Sequence, residues 1–242
     1  MGIFDFFSGS PKAVYISSEN SSSEELENYK EIFKILKISY SLLENPNFKS
    51  GYCELMVGNR KKARAIARKN FELLKESSVD IILVNDSSLF YMLKKWYPKL
   101  VLNFDIEVVH VSSVILEALK KRGMRFDGEE RESFCYHDPC YLGRHFGIFD
   151  EPRRVIELLG GNIIEMKKNK ESSSCCGAGG CVGENFPGLE LSMAKSRVKE
   201  SPDEFLKIIT PCSMCANSLK RAKEDSFEWS GFILGRLRRL LR

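Results

Sequence analysis

Five cysteines in the second half of the chain have the residue type and the spacing of a metal or redox site. They follow the pattern C-x34-C-C-x35-C-x2-C: Cys140, Cys175, Cys176, Cys212 and Cys215. Iron in a protein-bound cluster takes thiolate sulfur as its ligand, and an ordinary cubane cluster or an all-cysteine zinc site needs four such ligands. Five cysteines therefore indicate one cluster with more thiolate ligands than a simple cubane takes.

The residues beside these cysteines suit an anionic cluster. Gly177, Gly179 and Gly180 follow the Cys-Cys pair, and glycine lets the backbone approach closely and point its N–H groups at sulfide. Cys212 follows Pro211 at the predicted start of a helix. Because a helix N-terminus lowers the pKa of a thiol, this position favours a thiolate ligand.

Histidines are the candidates for a proton-donating or hydrogen-bonding role. His137 lies in the turn that leads to Cys140 and is the candidate catalytic residue, the alternative being a turn histidine that bonds backbone. His145 either lines a substrate pocket or lies in a solvated loop, which we favour. His110 lies in an apolar strand, so we expect it in the core.

Strands that alternate with helices position these residues, and the order of elements occurs twice. Predicted strands cover residues 13–17, 38–43, 79–84, 107–111, 132–137, 162–166 and 205–210. This alternation predicts an α/β fold of two similar repeats, each a small parallel sheet flanked by helices. We expect a first repeat at 1–98, a connecting strand–helix segment at 99–131 and a second repeat at 132–242.

The predicted sheets bring the cysteines together. Parallel sheets carry functional groups at the carboxyl ends of their strands. Cys140 follows the first strand of the second repeat, the Cys175–Cys176 pair follows the second strand and Cys212 follows the third. Three distant segments are therefore expected to converge on one edge of a sheet.

At these positions the chain resembles the cysteine-rich CCG domain family. The matching segments are His137-Asp-Pro-Cys140-Tyr-Leu-Gly-Arg144, Glu151-Pro-Arg-Arg154, Cys175-Cys-Gly-Ala-Gly-Gly180 and Pro211-Cys-Ser-Met-Cys215. The family includes the catalytic subunits of heterodisulfide reductases and the iron–sulfur subunits of lactate, glycolate and glycerol-3-phosphate oxidising systems. The resemblance implies that the five cysteines bind one [4Fe-4S] cluster of the noncubane kind.

The first repeat departs from the family pattern. No cysteine stands near Ser17-Ser18, Tyr52-Cys53-Glu54 replaces the expected Cys-Cys-Gly, and Asn85-Asp-Ser-Ser88 replaces the final CxxC. One thiolate cannot hold a cluster. We therefore expect a degenerate first repeat that serves as a scaffold or as a binding surface facing the cluster.

The cysteines leave alternatives open. The five can be buried structural residues, a zinc site, or a thiol–disulfide oxidoreductase that uses Cys212 and Cys215. We expect Cys135 to be buried on its strand and Cys53 to be a remnant of the repeat. Cys181 is expected either near the cluster or simply buried.

The function that these patterns favour is an iron–sulfur redox subunit of an oxidoreductase complex, similar to heterodisulfide reductase. It would exchange electrons with a ferredoxin-like iron–sulfur subunit or a flavin subunit, because the sequence lacks a C-x2-C-x2-C-x3-C-P run and a nucleotide fingerprint. The alternative functions are a zinc-binding structural or interaction subunit without redox activity, and a degenerate scaffold subunit.

Composition narrows the location and the partners. A net charge of +4 does not call for a nucleic acid. No run reaches the roughly 18–20 apolar residues of a membrane span, and the first residues do not resemble a signal peptide. We therefore expect a cytoplasmic protein that contacts a membrane, if at all, through a partner.

The last residues form a basic amphipathic segment. Five apolar residues share one face of a predicted helix: Phe232, Ile233, Leu237, Leu240 and Leu241. Four arginines lie mostly on its other sides: Arg236, Arg238, Arg239 and Arg242. Such a helix can lie in a membrane interface or dock on an acidic subunit. The alternative is an ordinary last helix that packs on its own domain.

Overall fold

The computed structural model describes residues 12–43 and 48–241, so residues 1–11 and 44–47 of the predicted first repeat and Arg242 of the second lie outside the described residues. In this part of the chain the first sheet consists of β1 (Ala13–Ile16), β2 (Ser41–Leu42), β3 (Ile81–Val84) and β4 (Glu107–His110). The helices of this half are α1 (Ser23–Ile35), α2 (Tyr52–Met56), α3 (Arg60–Glu76), α4 (Ser87–Tyr91), α5 (Tyr97–Leu100) and α6 (Val111–Lys121), with a π-helical turn at Met92–Trp96.

The second sheet consists, over the same described residues, of β5 (Glu132–Tyr136), β6 (Gly161–Glu165), β7 (Lys207–Thr210) and β8 (Ser226–Glu228). The helices of this half are α7 (Gly143–Phe146), α8 (Asp150–Leu158), α9 (Val182–Asn185), α10 (Pro187–Val198), α11 (Ser213–Ala222) and α12 (Ser230–Leu240). Short 3-10 turns cover Lys170–Ser172 and Gly179–Cys181. The sequence analysis did not predict β8, since three residues are too few to show a pattern.

The two sheets have the same topology. Their strand orders are β2-β1-β3-β4 and β6-β5-β7-β8, and every neighbouring pair is parallel. The repeated order confirms the predicted α/β fold of two similar repeats. The segment 99–131, which we treated as a connector, supplies β4 and α6, and β4 pairs with β3 as the edge strand of the first sheet.

The elements follow the expected burial patterns. Every residue of β1 and β3 is buried, as for strands covered by helices on both faces. In α3 the buried residues recur at helical spacing, with Ala63, Ala67, Phe71 and Leu74 on the core side and the basic residues elsewhere. The basic face of this helix is therefore the solvated side of an ordinary amphipathic helix.

The C-terminal helix α12 packs against its own protein. Phe232, Ile233 and Leu237 are buried in a core that also contains residues of α1, α6 and α8. Arg236 is buried as well, with its guanidinium 4.7 Å from the centroid of the Phe126 ring. Of the two alternatives for this segment, the structure shows packing for most of the apolar face, and Leu241 at its end stays exposed. None of the described helices has the length and the apolar character that crossing a bilayer requires.

Candidate functional site

The five cysteines lie at the carboxyl edge of the second sheet. Their thiols make a continuous chain of contacts, from Cys140 to Cys175, Cys176, Cys215 and Cys212. The Sγ atoms of Cys176 and Cys215 are 3.3 Å apart. The structure thus brings together all five cysteines that the sequence singled out, and their role as ligands stays a prediction.

Crowding of the thiols splits their pKa values. The Cys175 sulfur accepts hydrogen bonds from Cys140 and Cys176, which lower the pKa of Cys175 to about 2. The hydrogen bond to Cys175 raises the pKa of Cys140 and that of Cys176, and the contact with Cys176 raises the pKa of Cys215. Thiols in such close contact share their protons unless metal cations take the place of those protons. A metal centre binds thiols in this way, as thiolates.

The glycine loop is shaped to lie against the cysteines. Gly177 has a φ of +91°, and a Cβ at this position would lie 2.7 Å from the carbonyl oxygen of Glu190. The backbone N–H of Gly177 points to Cys175 Sγ at 3.3 Å. A side chain would therefore push the loop off α10 and turn this N–H away from the sulfur.

His137 lies beside two of the five cysteines. One of its ring nitrogens and the Sγ atoms of Cys176 and Cys215 all lie within 4.8 Å of one another. Its Nδ1 accepts a hydrogen bond from Arg197 Nε at 3.0 Å, so Nε2 carries the proton of the neutral ring. Burial, together with the Arg197 charge, lowers the pKa of His137 to about 3. Within the part of the chain that the structure describes, this side chain makes no hydrogen bond to the backbone, unlike in the alternative considered above.

Arg197 is a site residue that sequence reasoning missed. It is fully buried in α10 and also donates to the backbone oxygen of Lys168 and to Glu200. No motif marks it, because its partner His137 lies 60 positions earlier in the chain. The sequence offered one sign that Arg197 is buried. This arginine lies on the same face of α10 as Glu190 and Ala194, and that face is the buried one.

A buried ion pair fixes the turn that carries Cys140. The Arg153 guanidinium donates to both oxygens of Asp138, at 2.7 and 2.9 Å, and to Glu165 at 2.7 Å. Its plane also lies over the Tyr136 ring, 4.4 Å from the centroid. Two of the segments that resemble the family, the one from His137 and the one from Glu151, therefore meet through this pair.

The first repeat reaches the cysteines through the loop that replaces its CxxC. Ser87 Oγ donates to Cys212 Sγ at 2.9 Å, and Asp86 Oδ2 lies 3.5 Å from the same sulfur. The Asp86 carboxylate also accepts from the backbone N–H of Met214 at 3.2 Å. All of these atoms are in buried or half-buried positions. The sequence predicted a surface facing the cluster but not which side chains provide it.

A cavity of about 370 Å³ lies between residues of the two repeats. It is lined by Ser18, Cys53 and Ser88, the three places at which the first repeat departs from the family pattern. From the second repeat it is lined by Ala178 and Met214, which lie between the cysteines in sequence. The degenerate positions of the first repeat thus surround one space that faces the five-cysteine loops.

The remaining cysteines and histidines have clear places. Cys53 and Cys181 form a disulfide, which the sequence analysis did not predict. Cys135 is buried as expected, with its sulfur 3.0 Å from Ser201 Oγ. His110 is buried in the core as expected, with Nε2 3.0 Å from the backbone oxygen of Asn85. His145 is exposed as expected, but it lies in the short helix α7 and not in a loop.

The residues present fit an iron–sulfur cluster. The five thiols supply soft anionic ligands, and the protein also supplies hydrogen-bond donors that lack acceptors. Among the described residues, the buried atoms His137 Nε2 and Arg197 Nη2 have no hydrogen-bond partner. Unsatisfied buried donors are costly, and the sulfides of a cluster are the acceptors that would satisfy them.

The fold and the cysteine geometry place this part of the chain in a known class. Residues 134–220 match the model of the cysteine-rich domain family designated CCG. The chain therefore carries a domain of the CCG family, and the family predicted from the motifs is confirmed.

Curated relatives share this region. A component of the dihydromethanophenazine:CoB–CoM heterodisulfide reductase of Methanosarcina mazei is 35% identical over 165 residues, covering 67% of this chain and 40% of that protein. EtfAB:quinone oxidoreductase of Syntrophomonas wolfei is 31% identical over 200 residues, covering 78% of this chain and 28% of that protein. A component of the fumarate reductase (CoM/CoB) of Methanothermobacter marburgensis is 30% identical over 144 residues, covering 57% of this chain and 26% of that protein. The chain thus spans less than half the length of each of these relatives.

Proposed function

We propose that this chain is an iron–sulfur redox subunit that holds one [4Fe-4S] cluster on Cys140, Cys175, Cys176, Cys212 and Cys215. The observation that carries the proposal is the unbroken chain of contacts among these five thiols at one sheet edge. A fifth thiolate exceeds the four that a cubane takes, which favours a noncubane cluster. The redox enzymes among the relatives support the class of function.

The residues around the thiols have distinct roles in this proposal. The cluster, when bound, accepts and releases single electrons. His137 is held neutral by burial and by Arg197, so it acts as a hydrogen-bond donor towards the cluster and not as an acid. Arg197 is a positioning residue, because it fixes the ring of His137 and the tautomer that carries the proton on Nε2.

A single cluster is proposed because the first repeat contains one cysteine, Cys53, and the structure pairs it with Cys181 in a disulfide. Ser18, Cys53 and Ser88 line the cavity where an intact repeat would supply cysteines. Iron in clusters takes thiolate ligands, so the hydroxyl groups of these serines are poor substitutes. The first repeat is therefore proposed to shape the space in front of the cluster.

The partners are proposed to be other redox subunits. Electrons that enter or leave the cluster need a second redox centre, and a ferredoxin-like iron–sulfur subunit or a flavin subunit would supply or receive them. The chain covers 40% or less of the relatives named above.

Anaerobic purification with metal and sulfide analysis tests the proposal. We expect a brown protein with about four iron and four sulfide per chain. Cys176→Ser and Cys212→Ser should each lose most of the iron, whereas Cys135→Ser, which changes a buried cysteine outside the set, should keep it. A colourless wild type with one zinc and no sulfide would replace this proposal with the zinc-binding module.

A further inference from the structure

The Cys53–Cys181 pair is a second sulfur site outside the five-cysteine set. We propose that it is a redox-active disulfide centre that undergoes exchange with dithiols in the wall of the cavity between the repeats. The two residues are 128 positions apart in sequence, one in each repeat, and their Cα atoms are 5.7 Å apart. That separation lies within the range that a disulfide requires. This inference goes beyond the proposed function and does not depend on it.

The position of the pair allows an external thiol to reach it. Both residues line the cavity of about 370 Å³, which is open to solvent on one side. Cys53 is half-buried, whereas Cys181 is 6% exposed. Since a thiol–disulfide exchange needs access to one sulfur only, Cys53 is the sulfur that an incoming thiolate attacks and Cys181 is the leaving group.

The backbone conformation at Cys181 orients this cysteine towards the first repeat. Cys181 has a φ of +56° and stands at the N-cap of α9, directly after Gly180 with a φ of +71°. Residues other than glycine are uncommon in this left-handed region. This conformation is the one that places the Cys181 sulfur against Cys53 of the other repeat.

Other contacts hold the two segments together without the covalent bond. The backbone N–H of Gly180 donates to Tyr52 Oη at 2.6 Å, and this hydroxyl shares a hydrogen bond of 2.8 Å with Tyr141 Oη. Tyr52 and Gly180 are the neighbours of the two cysteines in sequence. The thiols therefore stay close after reduction, so the disulfide can form again. Glu184 Oε1 lies 3.7 Å from Cys53 Sγ and can accept the hydrogen of the Cys53 thiol.

The exchange balances with a dithiol as reductant. The first thiolate of the dithiol attacks Cys53 Sγ, the Cys53–Cys181 bond breaks, and Cys181 leaves as a thiolate that takes up a proton. The second thiolate of the reductant then attacks the mixed disulfide and releases Cys53 as a thiol. Two electrons and two protons pass to the protein, and the reductant becomes a disulfide.

Trapping the thiols of the native protein in redox buffers tests the proposal. The anaerobically purified protein is equilibrated with mixtures of reduced and oxidised dithiothreitol and alkylated with N-ethylmaleimide. Peptides that contain Cys53 and Cys181 are then quantified by mass spectrometry. We expect both cysteines to change from bridged to alkylated together, in one transition with a two-electron slope and without denaturant. The control variant Cys135→Ser should show the same transition.

Single variants identify the attacked sulfur. In Cys181→Ser, Cys53 should react with 5,5′-dithiobis(2-nitrobenzoate) about tenfold faster than Cys181 does in Cys53→Ser, because reactivity follows access. Two results would overturn the proposal: a pair that stays unbridged in every buffer, or a pair that opens only after denaturation, as a structural disulfide does. Iron content is measured in the same samples, so failure of the proposed cluster is seen separately.

Discussion

Ser87→Ala is the substitution that most directly tests whether the first repeat tunes the cluster proposed for the second. Ser87 Oγ donates to Cys212 Sγ at 2.9 Å, and both residues are at most 1% exposed. A hydrogen bond to a ligand sulfur favours the more negative, reduced state of a cluster. Removing this bond should therefore lower the reduction potential.

The size of the shift follows from the strength of the bond. A hydrogen bond to a charged group contributes about 1.5–3 kcal/mol. If about a third of this differs between the two redox states, the differential free energy is roughly 0.5–1 kcal/mol. A tenfold change in a one-electron equilibrium is 59 mV, or about 1.4 kcal/mol, so the potential should fall by roughly 20–40 mV.

A potentiometric titration followed by electron paramagnetic resonance measures this shift. Ser201→Ala is a matched control, since Ser201 Oγ lies 3.0 Å from the sulfur of Cys135, which is outside the proposed ligand set. We expect no shift in the control and unchanged iron content in both variants. An unchanged or raised potential in Ser87→Ala, or an equal shift in Ser201→Ala, would refute the reasoning.

Two further substitutions test the buried charges. Arg153→Met leaves Asp138 buried without its bidentate partner, so the free energy of unfolding measured in urea should fall by roughly 3–5 kcal/mol. Arg154→Met is the control, because the pair of Arg154 with Glu157 is exposed. It should change the free energy of unfolding by less than about 1 kcal/mol. Burial raises the pKa of Glu228 to about 8, so its stabilising contribution is complete below its usual pKa and is lost as the pH rises through 8. In the wild type this group makes the unfolding free energy fall by roughly 4 kcal/mol between pH 5 and pH 9, at about 1.4 kcal/mol per pKa unit. Glu228→Gln should remove this part of the pH dependence. An unchanged pH dependence in the variant would contradict the raised pKa.

The sequence predicted those parts of the site that depend on order along the chain. The cysteines follow strands, and parallel strands with crossover helices leave little freedom in where their carboxyl ends lie. Cys140, Cys176 and Cys212 could therefore be placed at one edge without an alignment. The repeated strand order could be predicted for the same reason, because each half shows the same alternation of elements.

The parts that could not be predicted depend on contacts between distant side chains. The Arg197–His137 bond joins residues 60 positions apart, and no periodicity links an arginine in an amphipathic helix to a histidine in a turn. The Cys53–Cys181 bond depends on a left-handed backbone at Cys181, a conformation that residue type does not predict for cysteine. The C-terminal helix was ambiguous because a buried helix and a docking helix have the same apolar face.

The loop that replaced the CxxC of the first repeat has kept a structural role at the second site. The Asp86 carboxylate accepts from the backbone N–H groups of Ser88 and Leu89 at the start of α4, and from that of Met214 at the start of α11. One carboxylate thus caps helices of both repeats, where negative charge is favourable. Because Cys212 is the N-cap residue of α11, the first repeat helps to fix the position of a proposed ligand. The second repeat is therefore not structurally independent of the first at this site.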